Sequence, residues 1–75
     1  MKLTDIIDKL IVGFPVYIRD DYEQAVLRLV PTGHGELAYV KWKGKKELQH
    51  HYSSKVVFEM KMNGEEITKE EYEKY

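Results

Sequence analysis

The stretch Leu37-Ala38-Tyr39-Val40-Lys41-Trp42-Lys43-Gly44 constrains this chain more than any other. Ala38, Val40 and Trp42 alternate with Leu37, Tyr39 and Lys41, which is the period of a β-strand. Both faces are largely apolar, whereas a strand covered on one side only would alternate more cleanly. The pattern predicts a central strand with the N-terminal helix near its second face and a turn at Gly44. It also joins the only tryptophan to the start of the densest lysine run, so core and candidate binding surface meet here.

The segments on either side supply the rest of the sheet. Ile6, Ile7, Leu10 and Ile11 recur at helical spacing, with Thr4 placed to cap and Gly13 and Pro15 placed to stop a helix over 5–12. Phe14, Val16 and Ile18 alternate as a strand, and Pro15 puts that strand at an edge or at its own first residue. Asp20-Asp21-Tyr22 reads as a turn. Residues 23–30 admit a helix through Asp20-x-x-Glu23, but β-branched Val26 and Val30 and the following Thr32-Gly33-His34-Gly35 loop favour a strand from Ala25 to Val30. After the Lys43–Lys46 turn, Glu47 to Tyr52 returns as a weaker strand, and Ser53-Ser54 breaks it. Val56, Phe58, Met60 and Met62 alternate with Val57, Glu59 and Lys61, which predicts a strong strand over Lys55–Met62. Asn63-Gly64 then reads as a two-residue hairpin turn into a short strand at Glu65-Glu66-Ile67. Thr68-x-x-Glu71 is a capping box for a short C-terminal helix.

This order predicts an α+β domain: an N-terminal helix, a five- to six-stranded antiparallel meander and a short C-terminal helix. The sheet is expected either to curl into a small SH3-like barrel or to stay open and curved, with the Ser53-Ser54 break slightly favouring the barrel. At 75 residues the chain forms one domain with a thin core. It has no cysteine, which removes disulfides and thiolate chemistry. No apolar run approaches the length of a membrane span, and Asp5, Asp8 and Lys9 interrupt what would be a leader, so a cytoplasmic protein is expected.

Charge is uneven along the chain. Residues 1–40 carry four basic and six acidic side chains, residues 41–62 carry six lysines and two glutamates, and residues 63–75 carry two lysines and five glutamates. The middle segment is therefore net +4 within a chain of net −1. Lysines beside Tyr39, Trp42 and Tyr52 are ingredients of single-strand nucleic-acid binding. Against that reading, Arg19 and Arg28 are the only arginines, and alternation sends Trp42 and Lys41 to opposite faces.

Catalytic constellations are missing. His50 and His51 are adjacent in an expected strand and point apart, so they cannot chelate together and at most one could join His34. Ser53 and Ser54 beside them form a polar turn, because a triad needs groups brought in from separate elements. Asp20-Asp21, Glu65-Glu66 and Glu70-Glu71 fall on turns and helix starts, where carboxylates are solvated or capping. No cofactor and no enzymatic activity are expected.

Tyr39-Val40-Lys41-Trp42-Lys43-Gly44 resembles the Tyr-x-Val-Lys-Trp-Lys-Gly signature of chromodomains, in which the tryptophan forms one wall of a methyl-lysine cage. That resemblance would give Trp42 a cation–π role. It is confined to this stretch. Lys45 follows Gly44 where the family has an aromatic residue, and no Trp-Glu-Pro follows, so the likeness reads as shared hairpin chemistry.

The expected function is a small protein-binding or regulatory module of adaptor or inhibitor type. Its partner is another protein or a second copy in a homodimer, with nucleic acid through Lys41–Lys55 as the alternative. The candidate surface is Tyr17, Leu37, Tyr39, Lys41, Lys43, Lys45 and Lys46, with Trp42 assigned to the core.

Overall fold

A computed structural model describes residues 3–75, with side chains from Asp5 onward, so the expected Thr4 cap lies outside the described side chains. Its elements are α1 (Leu3–Ile11), β1 (Val16–Asp20), β2 (Ala25–Thr32), β3 (Gly35–Trp42), β4 (Leu48–His50), α2 (Lys55–Asn63), β5 (Glu65–Ile67) and α3 (Lys69–Lys74). The strands form one open antiparallel sheet in the order β4-β3-β2-β1-β5, not closed into a barrel. The expected α+β architecture is the one observed.

The middle strand is β2, not β3. Ala25, Val26, Leu27 and Leu29 are fully buried, and the first three are consecutive, so β2 is covered on both faces. β3 runs beside it from Ala25↔Trp42 to Thr32↔Gly35, and β4 supports only Ala38 to Val40. Phe14 precedes β1 and is exposed, so the alternation expected from it begins only at Val16.

Helices α1 and α2 cover the face of Val16, Ile18, Leu27, Leu29, Ala38 and Val40, with Ile6, Leu10, Val56, Val57 and Met60 packed onto it. The N-terminal helix therefore lies on the Ala38–Val40 face, not on the face of Leu37, Tyr39 and Lys41. Of the described side chains of α1, Ile6 and Leu10 reach that core, while Ile7 and Ile11 are exposed. Gly13 ends α1 as expected. It sits at φ +92°, while Phe14 N–H donates to the Lys9 carbonyl at 2.9 Å and Gly13 N–H to that of Leu10 at 3.1 Å. These are the two bonds of a Schellman ending, and the left-handed backbone is why a glycine stands there.

The predicted strand over Lys55–Met62 is helix α2. The Ser54 side chain accepts from Val57 N–H at 3.3 Å and caps it, so the second serine of the apparent break is a helix start. Val57 and Met60 are buried at a spacing of three, while Phe58 and Met62 are exposed. Asn63-Gly64 is accordingly not a hairpin turn. Gly64 caps α2 in extended backbone (φ −84°), with its N–H on the Met60 carbonyl at 2.9 Å. The helix carries the chain from edge strand β4 across the sheet to the other edge, where β5 pairs with β1 at Tyr17↔Ile67 and Arg19↔Glu65.

The far face holds a second, smaller core of Val26, Ile67 and Tyr72, with Tyr17 and Tyr75 packed against it under α3. The Thr68–Glu71 capping box is formed in both directions. No helix among the described residues is long and apolar enough to cross a membrane.

Candidate functional site

The structure divides the expected surface into three parts. Tyr17 and Lys41 are occupied by α3. The Tyr17 and Tyr72 rings meet with centroids 5.4 Å apart, and Lys41 Nζ donates to the Tyr72 carbonyl at 2.7 Å while lying 4.5 Å from the centroid of its ring. Leu37 is exposed and Tyr39 half-buried on the same far face, and the Arg28 guanidinium lies 4.3 Å over the Tyr39 ring. Lys43, Lys45 and Lys46 project from the β3–β4 turn and are exposed.

Around Tyr72 the far face is polar but internally satisfied, with one exception. Arg28 Nε and Nη2 both donate to Glu47 Oε1, at 2.9 and 2.6 Å. Burial alone would lower the Arg28 pKa, but the Glu47 carboxylate outweighs it and the net shift is upward. The Tyr72 hydroxyl is buried near this pair and, among the described residues, meets no partner in hydrogen-bonding geometry. Burial first, and the neighbouring Glu47 charge second, push its pKa upward from the ordinary value of about 10. The phenol therefore stays neutral in the folded state. Its contribution is fully present below the unfolded pKa near 10 and is lost as pH rises above that toward the folded value. Tyr72→Phe is expected to leave Tm unchanged or raise it at neutral pH, because it removes an unsatisfied buried hydroxyl. It should also reduce the loss of Tm above pH 10. A thermal-melt series in both proteins measures this, and a large fall in Tm at pH 7 would show that the hydroxyl is bonded.

The lysine turn acquires a partner that alternation did not foresee. Trp42 is half-buried on the helix-covered face, its ring 5.5 Å from that of His50, with Leu48 beside it more than half exposed. Gly44 takes φ +76°, and Lys45 N–H closes the turn on the Trp42 carbonyl at 2.9 Å. Lys43 N–H donates to the Gln24 carbonyl at 3.0 Å, which ties this turn to the one between β1 and β2. The Asp20 carboxylate fixes that second turn by accepting from Tyr22 and Glu23 N–H at 3.0 and 3.3 Å. The result is a cleft of about 380 Å³ lined by Glu23, Gln24, Trp42, Lys43, Lys45 and Leu48. Tryptophan and lysines thus share one surface. Among the described residues, Lys43, Lys45 and Lys46 enter no ion pair, whereas Lys9, Arg19, Arg28, Lys55, Lys61 and Lys69 each do.

Chemically, the cleft offers an apolar floor, two lysines at its rim with Lys46 exposed on the same turn, and the free backbone edge of β4. Its sign is wrong for a methyl-lysine cage, since a cationic ligand would meet two lysines beside the ring. A larger groove of about 510 Å³ lies between α1 and the β2–β3 hairpin, lined by Ile7, Leu10, Ile11, Thr32, Glu36 and Tyr52. Its one acid, Glu36, is bonded to Lys61, and nothing in it selects an occupant. The histidines do not converge. His51 Nδ1 accepts locally from Ser53 N–H at 3.2 Å and lies 2.6 Å from Ser53 Oγ, His50 packs on Trp42, and His34 is in the hairpin turn.

The fold and site define an α+β domain with an open five-stranded sheet and an exposed basic edge. Comparison with protein-family models, with curated proteins and with solved structures found no match to this chain.

Proposed function

We propose that this domain is a non-enzymatic protein-binding module, of adaptor or inhibitor type, which holds its partner at the β4 edge. The observation that carries the reading is the Trp42–Leu48 floor beside three exposed lysines that have no acidic partner among the described residues. An aromatic and an aliphatic side chain set within a polar rim have the layout of an interface, with the aromatic as its anchor. Single-stranded nucleic acid is the second reading, because it draws on the same ring and the same cations. It has less support: one aromatic ring lines the cleft, neither arginine does, Glu23 sits on the rim, and the net charge is −1.

The test is affinity capture with the wild-type domain and with a Lys43→Glu, Lys45→Glu, Lys46→Glu triple variant, whose substitutions are all exposed and should leave the circular dichroism unchanged. A protein held in stoichiometric amount by the first and lost by the second is the expected result. Equal retention by both, or retention of nothing by either, would remove the reading.

A further inference from the structure

The two edges of the sheet are not alike. β4 and β5 each have three residues and one side of their backbone free of strand partners. At β5 the acids are matched, Glu66 by Lys9 and Glu65 by Arg19, and α3 follows directly. At β4 the cations Lys43, Lys45 and Lys46 are unmatched among the described residues, and the apolar floor of Trp42 and Leu48 opens beside them. Lysines at a sheet edge discourage pairing with strands in general. They admit one whose own charge is opposite, so the same residues that repel most strands select an acidic one.

We propose that the occupant of this edge is an extended acidic segment of a partner protein, which pairs with β4 as a sixth strand. The proposal rests on the protein-binding reading above and names the chemistry of its partner. Leu48 and His50 point to the helix-covered face, as does Trp42. A strand added about 4.8 Å beyond β4 would point alternate side chains to that same face. One apolar or aromatic side chain from it then rests on the Trp42–Leu48 floor. The lysine turn precedes β4, so the acidic residues gather on the side of the anchor that meets that turn. Main-chain hydrogen bonds supply affinity and the floor and lysines supply selection, which is the division of labour in strand addition.

The experiment is selection of a random octapeptide display library on the wild-type domain and on the Lys43/Lys45/Lys46 triple-glutamate variant. One enriched peptide is then synthesised with a fluorescent label, and again with backbone N-methyl groups on alternate residues. The wild type should enrich peptides that pair an aromatic or aliphatic residue with Asp and Glu. Anisotropy should show affinity falling about tenfold or more both in the triple variant and on N-methylation. Enriched peptides without acids, or N-methylated peptides that bind as well as the parent, would overturn the proposal. So would labelled oligothymidylate binding at this edge when no peptide does, or a solution mass that rises with concentration and returns to the monomer in the triple variant. If capture retains a protein through the lysines while the library yields no acidic strand, the protein-binding reading stands and this proposal falls. If both experiments fail, both fall.

Discussion

Gly64→Ala should destabilise this domain more than alanine at any of its other glycines. A Cβ at that position would lie 2.3 Å from Ile18 Cγ2, 2.7 Å from the Met60 carbonyl oxygen and 2.9 Å from that of Arg19. Ile18 could turn only into a filled core, since it is fully buried, and the two carbonyls belong to the frame of α2 and β1. Overpacking of this kind costs roughly 1–3 kcal/mol where side chains can yield, and more where backbone must move. For a domain of this size each kcal/mol is about 4–8 °C in Tm. A fall of roughly 15 °C, or a protein that does not fold, is the expected outcome of a thermal melt. The same substitution at Gly33 meets no atom within 4 Å and should change Tm little. Equal melts for the two variants would show that α2 does not end against β1 in this way.

The second large effect separates helix from strand over Lys55–Asn63. Met60→Ala removes a fully buried side chain from beneath α2 and should cost about 2–5 kcal/mol. Val57→Ala, also fully buried, should cost part of that. Phe58→Ala and Met62→Ala remove side chains that are 56% and 48% exposed and should stay within about 0.5 kcal/mol. A strand would give another pattern, with Phe58, Met60 and Met62 all costly and Val57 neutral. Denaturant midpoints of the four variants decide between the two.

That segment shows where local sequence runs out. Val56, Phe58, Met60 and Met62 satisfy a period of two, but Val56–Met60 and Phe58–Met62 also satisfy the i, i+4 spacing of a helix. The deciding signals were Ser54 as a cap and the straight-chain Glu59, Met60, Lys61 and Met62, which are better helix than strand formers. Asn63-Gly64 misleads for a related reason. The dipeptide is the usual one for a tight hairpin, yet here the glycine is present because no side chain fits between α2 and β1. By contrast, the β2–β3 hairpin, the Gly13 stop and the Thr68 capping box were legible, because each is fixed by residues adjacent in sequence.

The candidate site was half legible. The lysine turn could be read directly, and so could the opposite facing of Trp42 and Lys41. What alternation does not report is the path beyond the end of a strand. After Trp42 the chain turns at Gly44, which brings Lys43 and Lys45 to the rim above the indole. The loss of Tyr17 and Lys41 to α3 was equally hidden, since a capping box announces a helix but not the surface on which it lands.

The chain passes from one edge of the sheet, β4, to the other, β5, by way of α2. Five strands spaced about 4.8 Å apart put the two edges roughly 19 Å from each other. A nine-residue helix is about 13.5 Å long, so with the short segments at its two ends the connection can bridge that distance. A strand inserted within the sheet would lengthen the distance that this connection has to bridge. A strand laid outside β4 would leave it unchanged.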